Sequence, residues 1–106
     1  MFGFNSVKTI TPEEVDKKRK EIKDISIIDV REDEEVANGM IPGAKHIPLG
    51  EISDRTNEIP KDKEHIMVCR SGNRSGKAAK FLEGEGYSVF NMKGGLMNWN
   101  GELSNR

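Results

Sequence analysis

Short apolar runs alternate with helical patterns along this chain, and that alternation restricts it to an α/β fold built on a mainly parallel sheet. Residues 7–10 read as a short edge strand. Thr11 then suits a helix N-cap, with Pro12 at the first helical position and Glu14 completing a capping box. This helix is polar, with Val15 and Ile22 on its inner face. Residues 25–30 are the best strand by β-branched content. Residues 31–38 read as a short helix closed by Gly39, 41–44 as a turn, and 45–47 as a short strand that Pro48 ends. A helix is expected over 51–57, stopped before Pro60, and a buried strand over 65–68. A helix over 75–84 turns Ala78, Ala79, Phe81 and Leu82 inward, and a last strand covers 88–91. After Gly94-Gly95, the residues Leu96, Met97 and Trp99 are expected to pack as a small helical cap. His46 and His65 read as surface or strand-edge residues without a role, and Lys77 as solvent-exposed.

In parallel sheets with crossover helices the strand C-termini share one edge, and ligands sit outside it. Three segments converge there: Asp29-Val30-Arg31, the loop from Cys69, and Met92-Lys93-Gly94-Gly95. The loop holds the only cysteine of the chain. Ile66-Met67-Val68 leads into it, and a helical pattern leads out. A sulfur placed at a helix start, near cations, ionises readily. Backbone N–H groups there form a cradle for an oxyanion or for a second sulfur. Gly72 permits the turn, and Arg70 and Arg74 are candidates to bind an anionic donor and the leaving anion. Arg31 and Glu35 stand at the i,i+4 spacing of an ion pair, and Arg31 is also placed to brace the loop.

Bulk properties remove whole classes of function. The 106 residues suit one domain, read as 7–101 with tails at 1–6 and 102–106. Net charge is −1 with 33% charged residues, against a general nucleic-acid or membrane binder. Arg70, Arg74, Lys77 and Lys80 still make a local basic patch. One cysteine excludes an intramolecular disulfide, and no Cys/His cluster has metal-ligand spacing. Residues 1–8 lack the pattern of a secretory signal, and no window approaches a membrane span. With a free thiol, this predicts a cytoplasmic protein in a reducing compartment.

Four motifs in order carry a resemblance over nearly the whole chain. They are Asp29-Val30-Arg31 with Glu35, then Gly39-Met40-Ile41-Pro42-Gly43-Ala44 followed by Ile47-Pro48, then Cys69-Arg70-Ser71-Gly72-Asn73-Arg74-Ser75, and last Gly94-Gly95-Leu96 with Trp99. In these the chain resembles the single-domain rhodanese family of sulfurtransferases. One departure is visible: Met40 stands where that family usually has His.

The resemblance implies a three-layer fold with a central, mainly parallel sheet of about five strands flanked by helices. It implies sulfur transfer from a donor such as thiosulfate or a persulfide to a thiol or cyanide through a Cys69 persulfide, with no cofactor and no metal. Residues Arg70, Ser71, Gly72, Asn73, Arg74 and Ser75 form the substrate-binding loop, and Asp29 and Arg31 support it. Expected partners are a small sulfane-sulfur donor, a thiol acceptor and a protein persulfide, with no nucleic acid and no membrane. The alternative is a sulfur carrier or regulatory binding module with little small-molecule turnover. A cysteine phosphatase or arsenate reductase is the weaker rival. Those enzymes place five residues between Cys and Arg, whereas four separate Cys69 from Arg74 and Ser75 takes the arginine's place.

Overall fold

A computed structural model describes residues 7–105. The expected tail at 1–6 lies outside the described residues. Five strands run β1 (Thr9–Ile10), β2 (Ser26–Asp29), β3 (Lys45–His46), β4 (Glu64–Val68) and β5 (Ser88–Met92). They form one sheet in the order β1-β5-β4-β2-β3, with every pairing parallel. Helices α1 (Pro12–Glu21), α2 (Asp33–Val36) and α3 (Asn73–Gly84) connect them, with 3-10 turns at Leu49–Glu51, Thr56–Glu58 and Gly95–Asn98.

The pleat sorts the side chains into two cores, because consecutive residues on a strand face opposite sides. Ile66 and Val68 join Ile27, Met92 and Val15 of α1 in one core. Met67 and Cys69 join Ile28, Val89 and Leu82 of α3 in the other. The direction of the Cys69 side chain therefore follows from the alternation of β4: it continues the face that α3 covers.

Helix α1 starts as expected. Glu14 N–H donates to Thr11 Oγ1 at 3.1 Å, and Thr11 N–H donates to Glu14 Oε1 at 2.9 Å. Other expectations need correction. Ile22 caps the end of α1 and is exposed at the rim of a groove that Ile66 and Phe90 of the sheet also line. Phe81 and Met97 are also exposed. No α-helix forms over 51–57, and 3-10 turns at Leu49–Glu51 and Thr56–Glu58 take up its two ends. Ser, Asp, Thr and Asn, which fill positions 53, 54, 56 and 57, are poor helix formers, and Ile52 alone offers an apolar anchor. The helix expected over 31–38 shortens to α2.

His46 does lie on the edge strand β3, as expected, but His65 lies in the central strand β4. His65 is buried and bonded through Nδ1 to Ser26 Oγ and through Nε2 to Pro60 O, both at 2.6 Å. The His46 side chain is covered too, with Nε2 2.7 Å from Arg31 O. Trp99 is half-buried against the α1-side core, where its Nε1–H donates to Glu102 O. Residues 102–105 fold back, as Ser104 and Met40 exchange two backbone hydrogen bonds, and position 106 of the expected tail lies outside the described residues. Among the described residues no helix is long and apolar enough to cross a membrane.

Candidate active site

Strand β4 ends at Val68 and α3 begins at Asn73, so only four residues, 69–72, turn the chain. A turn this tight needs a left-handed residue, and Gly72 supplies it with φ of 98°. A Cβ on Gly72 would also stand 3.2 Å from Gly94 N. The turn folds the first N–H groups of α3 over the sulfur. Gly72 N–H donates to Cys69 Sγ at 3.1 Å and Ser75 N–H at 3.3 Å, with Ser75 Oγ also 3.3 Å away. Cys69 and Ser75 are both fully buried.

Two opposing effects act on the thiol. Burial pushes its pKa up, while hydrogen bonds to the thiolate from the Ser75 hydroxyl, when it turns to the sulfur, and from the Ser75, Gly72 and Ser71 amides pull it down, and the bonds prevail. The result is a thiol held below its ordinary range, suited to nucleophilic attack.

The segment after β5 seats the loop from the other side. Leu96 N–H donates to Cys69 O and Met97 N–H to Arg70 O, both at 2.9 Å. Gly95 allows this approach, because a Cβ there would overlap the Arg70 carbonyl.

The two loop arginines part company. Arg74 clamps Glu35 of α2, with Nη1–Oε1 at 2.7 Å and Nη2–Oε2 at 2.8 Å. Arg74, expected as a candidate for an anionic donor, is thus already paired with a carboxylate. The fork pairing with Arg74 holds the Glu35 carboxyl down at about 2, against the opposing effect of burial. Arg70 is exposed beside the loop. It lines an open depression of about 370 Å³ with Arg31, Glu35, Asn38, Leu96 and Met97. Ser71 and Asn73 are exposed, Asn73 as the first residue of α3.

Asp29 and Arg31 are buried and paired with each other, Arg31 Nη2 lying 2.9 Å from Asp29 Oδ2. Arg31 Nη2 also donates to Gly39 O at 2.8 Å. The expected Arg31–Glu35 carboxylate pair does not form. Arg31 reaches only the Glu35 backbone carbonyl, at 3.4 Å. The brace on the loop is Glu35 acting through Arg74.

Sequence reasoning missed Asn91 altogether. Its Nδ2 donates to Gly72 O at 3.0 Å, and its Oδ1 accepts from Ser75 Oγ at 2.6 Å. The available signal was period two: Val89 and Asn91 share a strand face, and Val89 belongs to the α3-side core. A polar residue on that face has to find partners. Among the described residues no group of three or more His, Cys, Asp or Glu is placed to hold a metal. A second groove, of about 290 Å³, lies among Ile22, Ile25, Ile66 and Phe90. It reaches the start of β2 and β4 at Ser26 and Glu64, at the opposite end of β4 from Cys69.

Residues 11–102 match the family model described as a rhodanese-like domain. The protein YtwF of Bacillus subtilis (strain 168) is 44% identical over 96 residues, covering 91% of this chain and 93% of that one. Thiosulfate sulfurtransferase GlpE of Pseudomonas putida is 33% identical over 97 residues, covering 91% and 87%. A crystal structure of a rhodanese-like domain protein from Staphylococcus aureus superposes with a TM-score of 0.89 at 40% identity. That match covers 94% of this chain and 99% of the other.

Proposed function

The chain belongs to the rhodanese-like domain family, and from that premise we propose that it is a sulfurtransferase carrying sulfane sulfur on Cys69. The observation that carries the reading is a buried sulfur facing the Gly72 and Ser75 amides at the start of α3. As a thiolate, Cys69 attacks the outer sulfur of a donor such as thiosulfate. A new S–S bond forms, and the donor's S–S bond breaks with its electron pair leaving on sulfite. Cys69 is then a persulfide whose terminal sulfur bears the charge, and the loop amides stabilise that charge as an oxyanion hole would. An acceptor thiolate, or cyanide, attacks the terminal sulfur and the Cys69 thiolate departs. This is covalent catalysis in two halves, with ping-pong kinetics.

Arg70 is the loop guanidinium assigned to the donor anion, because Arg74 is committed to Glu35. That commitment also weighs against a phosphatase, in which the loop arginine grips the phosphate. The chain has no second cysteine, so the acceptor comes from outside it. A thiol-based cycle of this kind suits a reducing, cytoplasmic setting.

Intact mass spectrometry after incubation with thiosulfate tests the reading. The wild type gains one sulfur atom, a reducing thiol or cyanide removes it, and Cys69→Ser gains none. No adduct with thiosulfate, glutathione persulfide or a desulfurase donor would overturn the proposal. An adduct that forms from a protein donor, with negligible turnover of thiosulfate and cyanide, would favour the carrier over the enzyme.

A further inference from the structure

Beneath the loop, Ser75 has one hydroxyl proton and two neighbours that want it. Its Oγ lies 3.3 Å from Cys69 Sγ and 2.6 Å from Asn91 Oδ1. Hydrogen-bond chemistry decides between them. The Gly72 carbonyl can only accept, so the Asn91 atom 3.0 Å from it is the donating NH2 group. The amide is thereby oriented, and its oxygen faces Ser75. That oxygen can also only accept, so the Ser75 proton lies on the Asn91 side. What Ser75 Oγ then shows to the sulfur is a lone pair.

The fold makes room for this arrangement. Gly76 stands in the first turn of α3, where a helix ordinarily disfavours glycine. A Cβ there would come within 3.2 Å of Asn91 Nδ2.

We infer that Asn91 is a positioning residue for the sulfur chemistry: by holding the Ser75 hydroxyl proton, it turns an oxygen lone pair towards Cys69 Sγ. A protonated thiol donates to that lone pair. A thiolate is repelled by it until the hydroxyl leaves Asn91 and turns to the sulfur. In the persulfide, Sγ is a neutral bridging atom, so the hydroxyl returns to Asn91 without loss. Asn91 thus favours the thiol and the persulfide over the free thiolate. A less stabilised thiolate is also a stronger nucleophile.

The inference rests on Cys69 being the reacting atom. Its test reads the thiolate itself, without a sulfur donor, and so fails or succeeds separately from the mass measurement. The charged groups on the surrounding elements are the Asp29–Arg31 pair after β2, Glu35 on α2, Arg70 in the loop, Arg74 and Lys77 on α3, and Lys93 after β5. All are kept in every variant, so differences report on position 91.

The rate of iodoacetamide alkylation of Cys69 is measured against pH. Asn91→Leu releases the Ser75 hydroxyl to the sulfur, and its titration moves down by about one pH unit, as for a gained charge-assisted hydrogen bond. Asn91→Asp keeps an acceptor and adds charge, and its titration moves up. In a Ser75→Ala background, Asn91→Leu gives no downward shift. If Asn91 serves only to tether Gly72, both variants lose the tether and both titrations move up, which overturns the inference. An unchanged Asn91→Leu titration, or a downward shift that survives Ser75→Ala, overturns it too. Should Asn91→Leu fail to fold, Asn91→Ala removes the same acceptor and is read in the same direction.

Discussion

The seat of the sulfur depends on side chains that are missing at Gly72 and Gly95. Gly95 has φ of 63°, and a Cβ on it would overlap the Arg70 carbonyl and stand 2.6 Å from Ser71 N. Those are backbone atoms of the loop, so nothing can swing aside. Gly50 is the contrasting case, with ordinary φ and nothing within 4 Å of an added Cβ. Gly95→Ala is expected to cost about 1–3 kcal/mol, the range for enforced backbone strain. For a domain of this size that lowers Tm by about 4–8 °C per kcal/mol. It should also slow alkylation of Cys69 in the molecules that remain folded, because the loop must shift to admit the methyl. Gly50→Ala is expected to leave both thermal unfolding and alkylation near wild type. Equal melting temperatures for the two variants would mean that the 94–95 turn yields without moving the loop.

Helices α2 and α3 are joined by one fork-shaped contact, Glu35 to Arg74, whose partners are 39 residues apart in sequence. The Glu35 carboxyl sits at about 2 in the fold against an ordinary 4.5. A depressed carboxylate stabilises the fold fully above the unfolded value and loses that contribution as pH falls through the folded one. The wild type should therefore lose a slice of stability between pH about 4.5 and 2 that Glu35→Gln does not have to lose. At neutral pH, Glu35→Gln is expected to cost about 1 kcal/mol, since the pair is partly exposed. Arg74→Lys should behave similarly, because an ammonium cannot match the fork. Denaturant unfolding across that pH range checks both. The clamp also shows what a sequence conceals. The capping box of Thr11 and Glu14 was legible because its partners lie within one turn. The same local logic paired Glu35 with Arg31, four residues away, whereas the fold gave Arg31 to Asp29 and Glu35 to Arg74. Periodicity exposed every strand, and the Cys69 turn and its glycine were plain from composition. Asn91 was not, because its value depends on which helix covers its strand face.

Across the whole molecule, β4 lies at the centre of the sheet, with Cys69 beyond its C-terminal end and His65 near its start. Changes at His65 are therefore expected to alter stability without altering the reactivity of the Cys69 thiol. Pro60 O can only accept, so His65 Nε2 carries the proton and Nδ1 accepts from Ser26 Oγ, which satisfies a neutral ring on both sides. Burial pushes the His65 pKa below 6.5, and the bond to Pro60 O only partly opposes it. The sign follows from proton uptake. As pH falls below about 6.5 the unfolded chain gains a proton at this residue before the folded one does, so stability falls with it. Above that value the full contribution is present. Wild-type Tm should thus decline as the solution is acidified from neutrality, over a window that opens near 6.5 and closes at the lower, folded value. His65→Gln removes the titration. It should melt lower at neutral pH, by the roughly 1–3 kcal/mol that follows from leaving buried polar groups imperfectly paired. The difference between the two melting curves should then narrow on acidification. Alkylation of Cys69, measured per folded molecule at neutral pH, should be the same in both proteins. A parallel pair of Tm–pH curves would show that folding leaves the proton affinity of this imidazole unchanged, against the effect of burial. A slower Cys69 reaction in His65→Gln would show that the two ends of β4 are coupled after all.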